Sequence, residues 1–183
     1  MQAIRVHDKE FVPYLSQAEI EEAVRRLGEK ISEQYKNQFP LFIPILNGSF
    51  MFAAELFKHI SIPCEICFIK LASYKGTTSS GHLITSIGLD TEVKNKHIIV
   101  LEDILDTGKT LSLFLPQLKN QQPASLKVAA LLHKPEATVH EVKLDYNCFK
   151  IPNKFVVGFG LDYNGLGRNI PSLYQLKEEE LSQ

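Results

Sequence analysis

The chain has 183 residues, 44% of them hydrophobic, and a formal net charge of −1. That length can close one sizeable core, and the near-neutral charge offers no global basic field, so no nucleic-acid partner is expected. No apolar run reaches the roughly 18 residues of a membrane span, "MQAIRVHDKE" lacks a signal-peptide core, and three cysteines make a poor disulfide framework, so the expectation is a cytoplasmic chain with no membrane partner.

Ser16 and Glu19 in "SQAEIEEAVRRLGEKISEQY" form a capping box, and Ile20, Val24, Leu27, Ile31 and Tyr35 recur at helical spacing, which predicts an amphipathic helix. "LFIPILNG" reads as a buried strand ending at Asn47-Gly48, with "SFMFAAELFKHI" a helix behind it. "CEICFIKLA" reads as the next strand. Its Cys64 and Cys67 form a C-x-x-C, but residues three apart on a strand face opposite sides, and no second such pair exists. They are therefore read as two small buried side chains rather than as a zinc or redox site. The histidines show no ligand spacing. The polar "SYKGTTSSGH" is a loop, "HIIVLED" a strand, "GKTLSLFLPQLKNQ" a helix despite Pro116, "SLKVAALLH" a strand and "KFVVGFGLD" a last strand. Strands alternating with helices imply a mostly parallel sheet flanked by helices, whose ligands gather at the C-terminal strand ends. With no repeat, linker or low-complexity tract, residues 1–183 are taken as a single domain.

"VLEDILDTGKTL" places two adjacent acids just before what looks like a phosphate cradle. A Walker loop is excluded, because the required glycine five positions before Gly108 is replaced by Asp103. On the predicted architecture Glu102 and Asp103 end the strand Ile98 to Leu101, and Asp106 to Thr110 turn into a helix whose free N–H groups can hold a phosphate. The acids then lie beside the phosphate site. They can accept hydrogen bonds from a sugar diol or hold a magnesium ion that grips a second phosphate. The competing reading is an acidic turn that merely caps the helix.

This motif resembles the phosphoribosyl pyrophosphate loop of the type I phosphoribosyltransferases. The resemblance extends from about Leu41 to Arg168: "ILNGSFMFAAEL" is similar to the pyrophosphate loop, "SYKGTTSSG" to the start of a mobile catalytic loop, and "KFVVGFGLDYNGLGR" to a purine-binding hood segment. Together they point to the hypoxanthine-guanine phosphoribosyltransferases. The implied architecture is the family's parallel sheet plus a small hood built from both chain ends, in a homodimer or homotetramer.

The resemblance also implies roles. Glu102 and Asp103 would hold the ribose hydroxyls and a magnesium ion, and Asp162, in "GLDYN", would bind a second magnesium. Asp106 would take or share the purine's imidazole proton, against the alternative of a capping aspartate. Thr107, Gly108, Lys109 and Thr110 would hold the 5-phosphate. Lys134 would donate to a 6-oxo group, a charge-assisted bond that adenine's amino group could not accept. Phe155 would stack on the purine, Ile104 would close the opposite face, and the Val156 backbone would line the ring edge; the bland alternatives are a surface lysine and a core phenylalanine. Leu46, Asn47 and Gly48 match a loop that carries a non-proline cis peptide and presents amides to pyrophosphate. Asn47 is a departure, since many relatives have lysine there, and implies weaker pyrophosphate binding. Arg168 could restore the cation or be an ordinary surface arginine. Ser73 and Tyr74 would begin a water-excluding lid. The implied partners are a purine base and phosphoribosyl pyrophosphate. The alternatives are a xanthine-preferring relative and a nucleotide- or RNA-binding regulator of the same fold.

Overall fold

Ser16 starts the first helix by exchanging hydrogen bonds with Glu19: the serine hydroxyl accepts from the Glu19 N–H at 3.3 Å, and the Glu19 carboxylate accepts from the Ser16 N–H at 2.8 Å. In the computed structural model, which describes residues 1–73 and 83–177, this helix, α1, spans Gln17–Gln34. It buries Ile20, Val24, Leu27 and Ile31 as one stripe. Tyr35 is buried too, although it lies just past the last turn.

Two short strands precede it, β1 (Ile4–Val6) and β2 (Lys9–Leu15). After it come β3 (Leu41–Leu46), α2 (Phe50–Phe57), β4 (Glu65–Ile66), β5 (Ile69–Ser73), β6 (Leu83–Ile87), β7 (His97–Leu105), α3 (Lys109–Asn120), β8 (Ser125–His133), β9 (Tyr146–Lys150), β10 (Val156–Val157) and β11 (Leu173–Leu176). The central sheet runs β6-β5-β3-β7-β8-β9, with β4 also pairing β3. All of its pairings are parallel except that of the edge strand β6 with β5. One face packs against α1 and α2 through Phe42, Ile99, Leu101 and Leu131. The other packs against α3 through Ile43, Val100, Leu111 and Phe114. The fold is the mostly parallel, helix-flanked sheet that the alternation predicted.

Three local expectations need correction. "CEICFIKLA" is two strands, because pairing with β3 stops after Phe42↔Ile66 and resumes at Ile45↔Ile69. The gap lies opposite Ile43 and Pro44, and a proline offers no N–H to a ladder. Cys64 packs against the α1 side and Cys67 is buried on the α3 side, both as free thiols. The strand read as "HIIVLED" continues through Asp103 to Leu105, since its pairing with β8 persists to Leu105↔His133.

The third correction is "KFVVGFGLD", in which only Val156–Val157 is a strand. Gly158, Phe159 and Gly160 all take positive φ, at 106°, 43° and 99°, which breaks the extended path. These residues lead into a second, antiparallel sheet ordered β1-β2-β11-β10, whose small core is Val6, Phe11, Val157 and Tyr174. Its strands come from residues 4–15 and 156–176. Among the described residues no helix is long and apolar enough to cross a membrane.

Candidate active site

The C-terminal end of β7 brings the acids to the sheet's edge, as expected for a parallel sheet. Asp103 Oδ1 accepts from the Ile104 N–H at 2.9 Å. Glu102 is half-buried, but its Oε2 is sealed from solvent and has no hydrogen-bond partner among the described residues. Burial and the neighbouring Asp103 charge push the Glu102 carboxyl well above the usual range. Burial also raises Asp103 to about 6, against the Ile104 N–H and Arg168, which both favour its charged form. Two carboxylates withdrawn from water with little compensating charge make a site that a hard cation would relieve.

Beyond β7 the chain turns through Asp106 and Thr107 to Gly108, whose φ of 79° begins α3. A Cβ at Gly108 would stand 2.7 Å from the His140 carbonyl, so glycine is required here on two counts. As N-cap it offers no side-chain acceptor; the Lys109 N–H reaches back to the Thr107 hydroxyl at 3.4 Å, and among the described residues no side chain caps the N–H groups that follow. That leaves N–H groups available to an anion. A small pocket of about 70 Å³ lies here, lined by Glu102, Ile104, Asp106, Thr107, Lys109 and Thr110 among others.

The loop after β3 approaches from the other side. Its Leu46–Asn47 peptide bond is cis, and Ser49, fully buried, donates its hydroxyl to the Ile45 carbonyl at 2.6 Å. Gly48 lies so close to Asp103 that a Cβ would overlap the carboxylate, and Gly160 lies so close to Gly48 that a Cβ would overlap its carbonyl oxygen. The segment after Gly160 then delivers Asp162 and Arg168. Arg168 Nη2 pairs with Asp162 Oδ1 at 2.6 Å, and its Nη1 donates to the Gly160 carbonyl at 2.7 Å. Both charges are felt at Asp103.

Lys134, just beyond β8, is 6% exposed, with Nζ 3.3 Å from Asp106 Oδ2. A buried ammonium held by a half-exposed carboxylate is a donor poised at the edge of the pocket.

The comparisons with known proteins agree with this geometry. The phosphoribosyl transferase domain model matches residues 14–164. The hypoxanthine-guanine phosphoribosyltransferase of Streptococcus pneumoniae is 44% identical over 169 residues, 92% of this chain and 94% of that one. That of Lactococcus lactis is 45% identical over 166 residues, 90% of each. A crystal structure of a hypoxanthine phosphoribosyltransferase from Staphylococcus aureus superposes with a TM-score of 0.86 at 35% identity, covering 90% of each chain. The chain belongs to the hypoxanthine-guanine phosphoribosyltransferase family.

In this phosphoribosyltransferase the structure gathers Glu102, Asp103, Asp106 to Thr110, Lys134, Asn47, Gly48, Asp162 and Arg168 around one end of β7. Phe155 stands apart. It is 44% exposed, and it lines a broad cleft with Ile4, Asp8, Lys154 and Leu176 rather than the pocket that Ile104 lines. Its ring rests on Phe11 and Tyr163, with centroids 6.2 and 5.8 Å away. Val156 is buried in β10. Ser73 ends β5, and Tyr74 lies outside the described residues. Sequence reasoning missed Gly160, whose close approach to Gly48 has no local signal, and Thr138, whose hydroxyl meets not only the nearby His133 but also Asp106, 32 residues away.

Proposed function

We propose that this enzyme transfers 5-phosphoribose from phosphoribosyl pyrophosphate to hypoxanthine or guanine, with magnesium, giving the nucleoside monophosphate and pyrophosphate. The observation that carries the 6-oxopurine assignment is the buried Lys134 ammonium beside Asp106 at the pocket edge. An ammonium there donates to a 6-oxo oxygen and repels an amino group. Adenine is thereby disfavoured.

The reaction forms a bond from a purine ring nitrogen to the anomeric carbon and breaks the bond from that carbon to pyrophosphate. Asp106 receives the proton of the attacking nitrogen or shares it as the bond forms. Thr107 to Thr110, at the open N-terminus of α3, hold the 5-phosphate. Leu46, Asn47 and Gly48 line the pyrophosphate, and Arg168 supplies a cation to it once freed from Asp162. Ile104 faces the base from the pocket, and Phe155, on the neighbouring cleft, stacks on it only if the base reaches from that pocket into the cleft, with the Val156 backbone at its edge.

Magnesium fits the residues present. Glu102 has an unpartnered buried oxygen, and both it and Asp103 are held toward their neutral forms. No three His, Cys, Asp or Glu side chains among the described residues converge into a ready-made cage, so Glu102, Asp103 and Asp162 would supply part of the shell and the substrate phosphates and water the rest. When bound, the ion neutralises charge on the departing pyrophosphate.

The test is direct. Purified protein, magnesium and phosphoribosyl pyrophosphate are offered hypoxanthine, guanine, xanthine and adenine separately, with and without excess chelator. Nucleotide from the first two, lost on chelation, is the expected result. Adenine as the best substrate would overturn the role of Lys134, and no product with any base would leave a ligand-binding regulator as the better reading.

A further inference from the structure

The turn after β8 does more than deliver Lys134. The Thr138 hydroxyl lies 2.7 Å from the Asp106 carbonyl oxygen, 2.9 Å from the Lys134 carbonyl oxygen and 3.3 Å from His133 Nε2. It has one proton to donate. The Lys134 carbonyl already accepts from the Ala137 and Thr138 N–H groups at 3.1 and 3.2 Å, which fills its two lone pairs. The proton therefore goes to Asp106, the nearer acceptor, while Nε2 of His133, in the tautomer protonated there, donates to the threonine oxygen.

The same turn grips the next residue as well. Val139 and His140 donate their N–H groups to the Thr107 carbonyl at 3.2 and 3.0 Å, and Lys134 donates its own to the Leu105 carbonyl at 2.9 Å. Leu105 is the last residue of the ladder between β7 and β8, and residues 106–107 have left it but have not yet entered α3. Their carbonyls would otherwise be held only by water.

We infer that Thr138 is a positioning residue: its hydroxyl fixes the Asp106 backbone against the turn that carries Lys134, and so sets the distance between the proton acceptor and the 6-oxo donor. The inference rests on the transfer activity proposed above. Threonine suits the task because β-branching limits its χ1 and keeps the hydroxyl aimed. A turn that only had to close would not need the hydroxyl, since the N–H groups of Ala137 and Thr138 already close it. Asp106 is the less restrained partner, its carboxylate 45% exposed and tethered only by the 3.3 Å contact to Lys134 among the described residues. Freeing its backbone lets the acid drift from the line of proton transfer, and small misplacements of reacting groups are costly.

The test compares Thr138→Val, which keeps shape and branching but removes the hydroxyl, with Thr138→Ser, which keeps the hydroxyl. With hypoxanthine as acceptor, Thr138→Val should lower kcat about 10-fold or more and leave KM for phosphoribosyl pyrophosphate within about 2-fold, while Thr138→Ser stays within about 3-fold of wild type in both. Thermal midpoints are measured alongside. A wild-type kcat in Thr138→Val overturns the role of Thr138 and leaves the transfer reading intact. Equal losses in both variants, or a Thr138→Val protein that does not fold, overturn it in favour of a structural role. A wild type that makes no nucleotide from any purine fails the transfer reading itself, and the inference falls with it.

Discussion

Asp106 and Lys134 hold each other at 3.3 Å, and under the proposed reaction each would change partner, the carboxylate turning to a ring N–H and the ammonium to a 6-oxo oxygen. Asp106→Asn keeps the size and can still accept a hydrogen bond but cannot take a proton, so kcat with hypoxanthine should fall by roughly 10²-fold or more. KM for phosphoribosyl pyrophosphate should change little; steady-state kinetics checks both. Asp103 presents a different case, because its carboxyl is raised by burial from an ordinary 3.8 to about 6. The native state then binds the proton more tightly than the unfolded chain. Its contribution is fully present below about pH 4 and is lost as pH rises through about 6, a difference of up to about 3 kcal/mol. Asp103→Asn removes that loss. The ligand-free variant should melt higher than wild type at pH 8, and the gap should close toward pH 4. A gap that does not vary with pH would show that Asp103 carries no such burial cost.

At the scale of elements, the site depends on two loops meeting through backbone rather than side chains. Gly160, at φ 99°, rests on the Gly48 carbonyl, and Gly48 rests on the Asp103 carboxylate. A methyl group at position 160 would both strain a left-handed backbone and push the loop after β3 toward β7. Gly160→Ala should cost at least about 1–3 kcal/mol of stability, the usual range for a disfavoured backbone conformation, and raise KM for phosphoribosyl pyrophosphate more than KM for the base. Thermal melts and the two KM values together check it. By contrast, α1 is fixed by its own sequence. Ser16, Glu19 and the buried stripe from Ile20 to Ile31 are local signals, and they give cap and face without help from the rest of the chain.

At the scale of the molecule, the second sheet ties residues near one end of the chain to residues near the other. Tyr163 donates to Asp8 at 2.9 Å, Lys177 pairs with Glu10 at 2.9 Å, and the Gln17 N–H reaches the Ser172 hydroxyl at 3.1 Å. Phe11, fully buried in β2, supports Phe155 and Tyr163 from beneath. Phe11→Ala should cost about 3–5 kcal/mol, as for other buried phenylalanines. In protein that remains folded at low temperature, it should raise KM for hypoxanthine while leaving that for phosphoribosyl pyrophosphate near wild type. A matching rise in both would mean that this sheet supports the whole site and not the base side alone.

By itself the sequence determined the alternation of strands and helices, the cap and buried stripe of α1, the ends of β8 and the Asp-Thr-Gly-Lys-Thr turn into α3. Each rests on residues within a few positions of one another, where periodicity and capping act. It did not determine β1, β2, β6, β9 or β11, which are three to seven residues long and are defined by partners elsewhere in the chain. Nor could it show that "VVGFG" leaves the strand after Val157, since a glycine is equally at home extended or left-handed until something packs against it. Only the tertiary structure put Gly160 on Gly48, Arg168 on Asp162 beside Asp103, and Thr138 under Asp106. Apart from the Asp162–Arg168 pair, these contacts join segments more than 30 residues apart, or 32 in the case of Thr138 and Asp106. Their geometry is set by how the two sheets and the loop ends pack, and no local pattern encodes that.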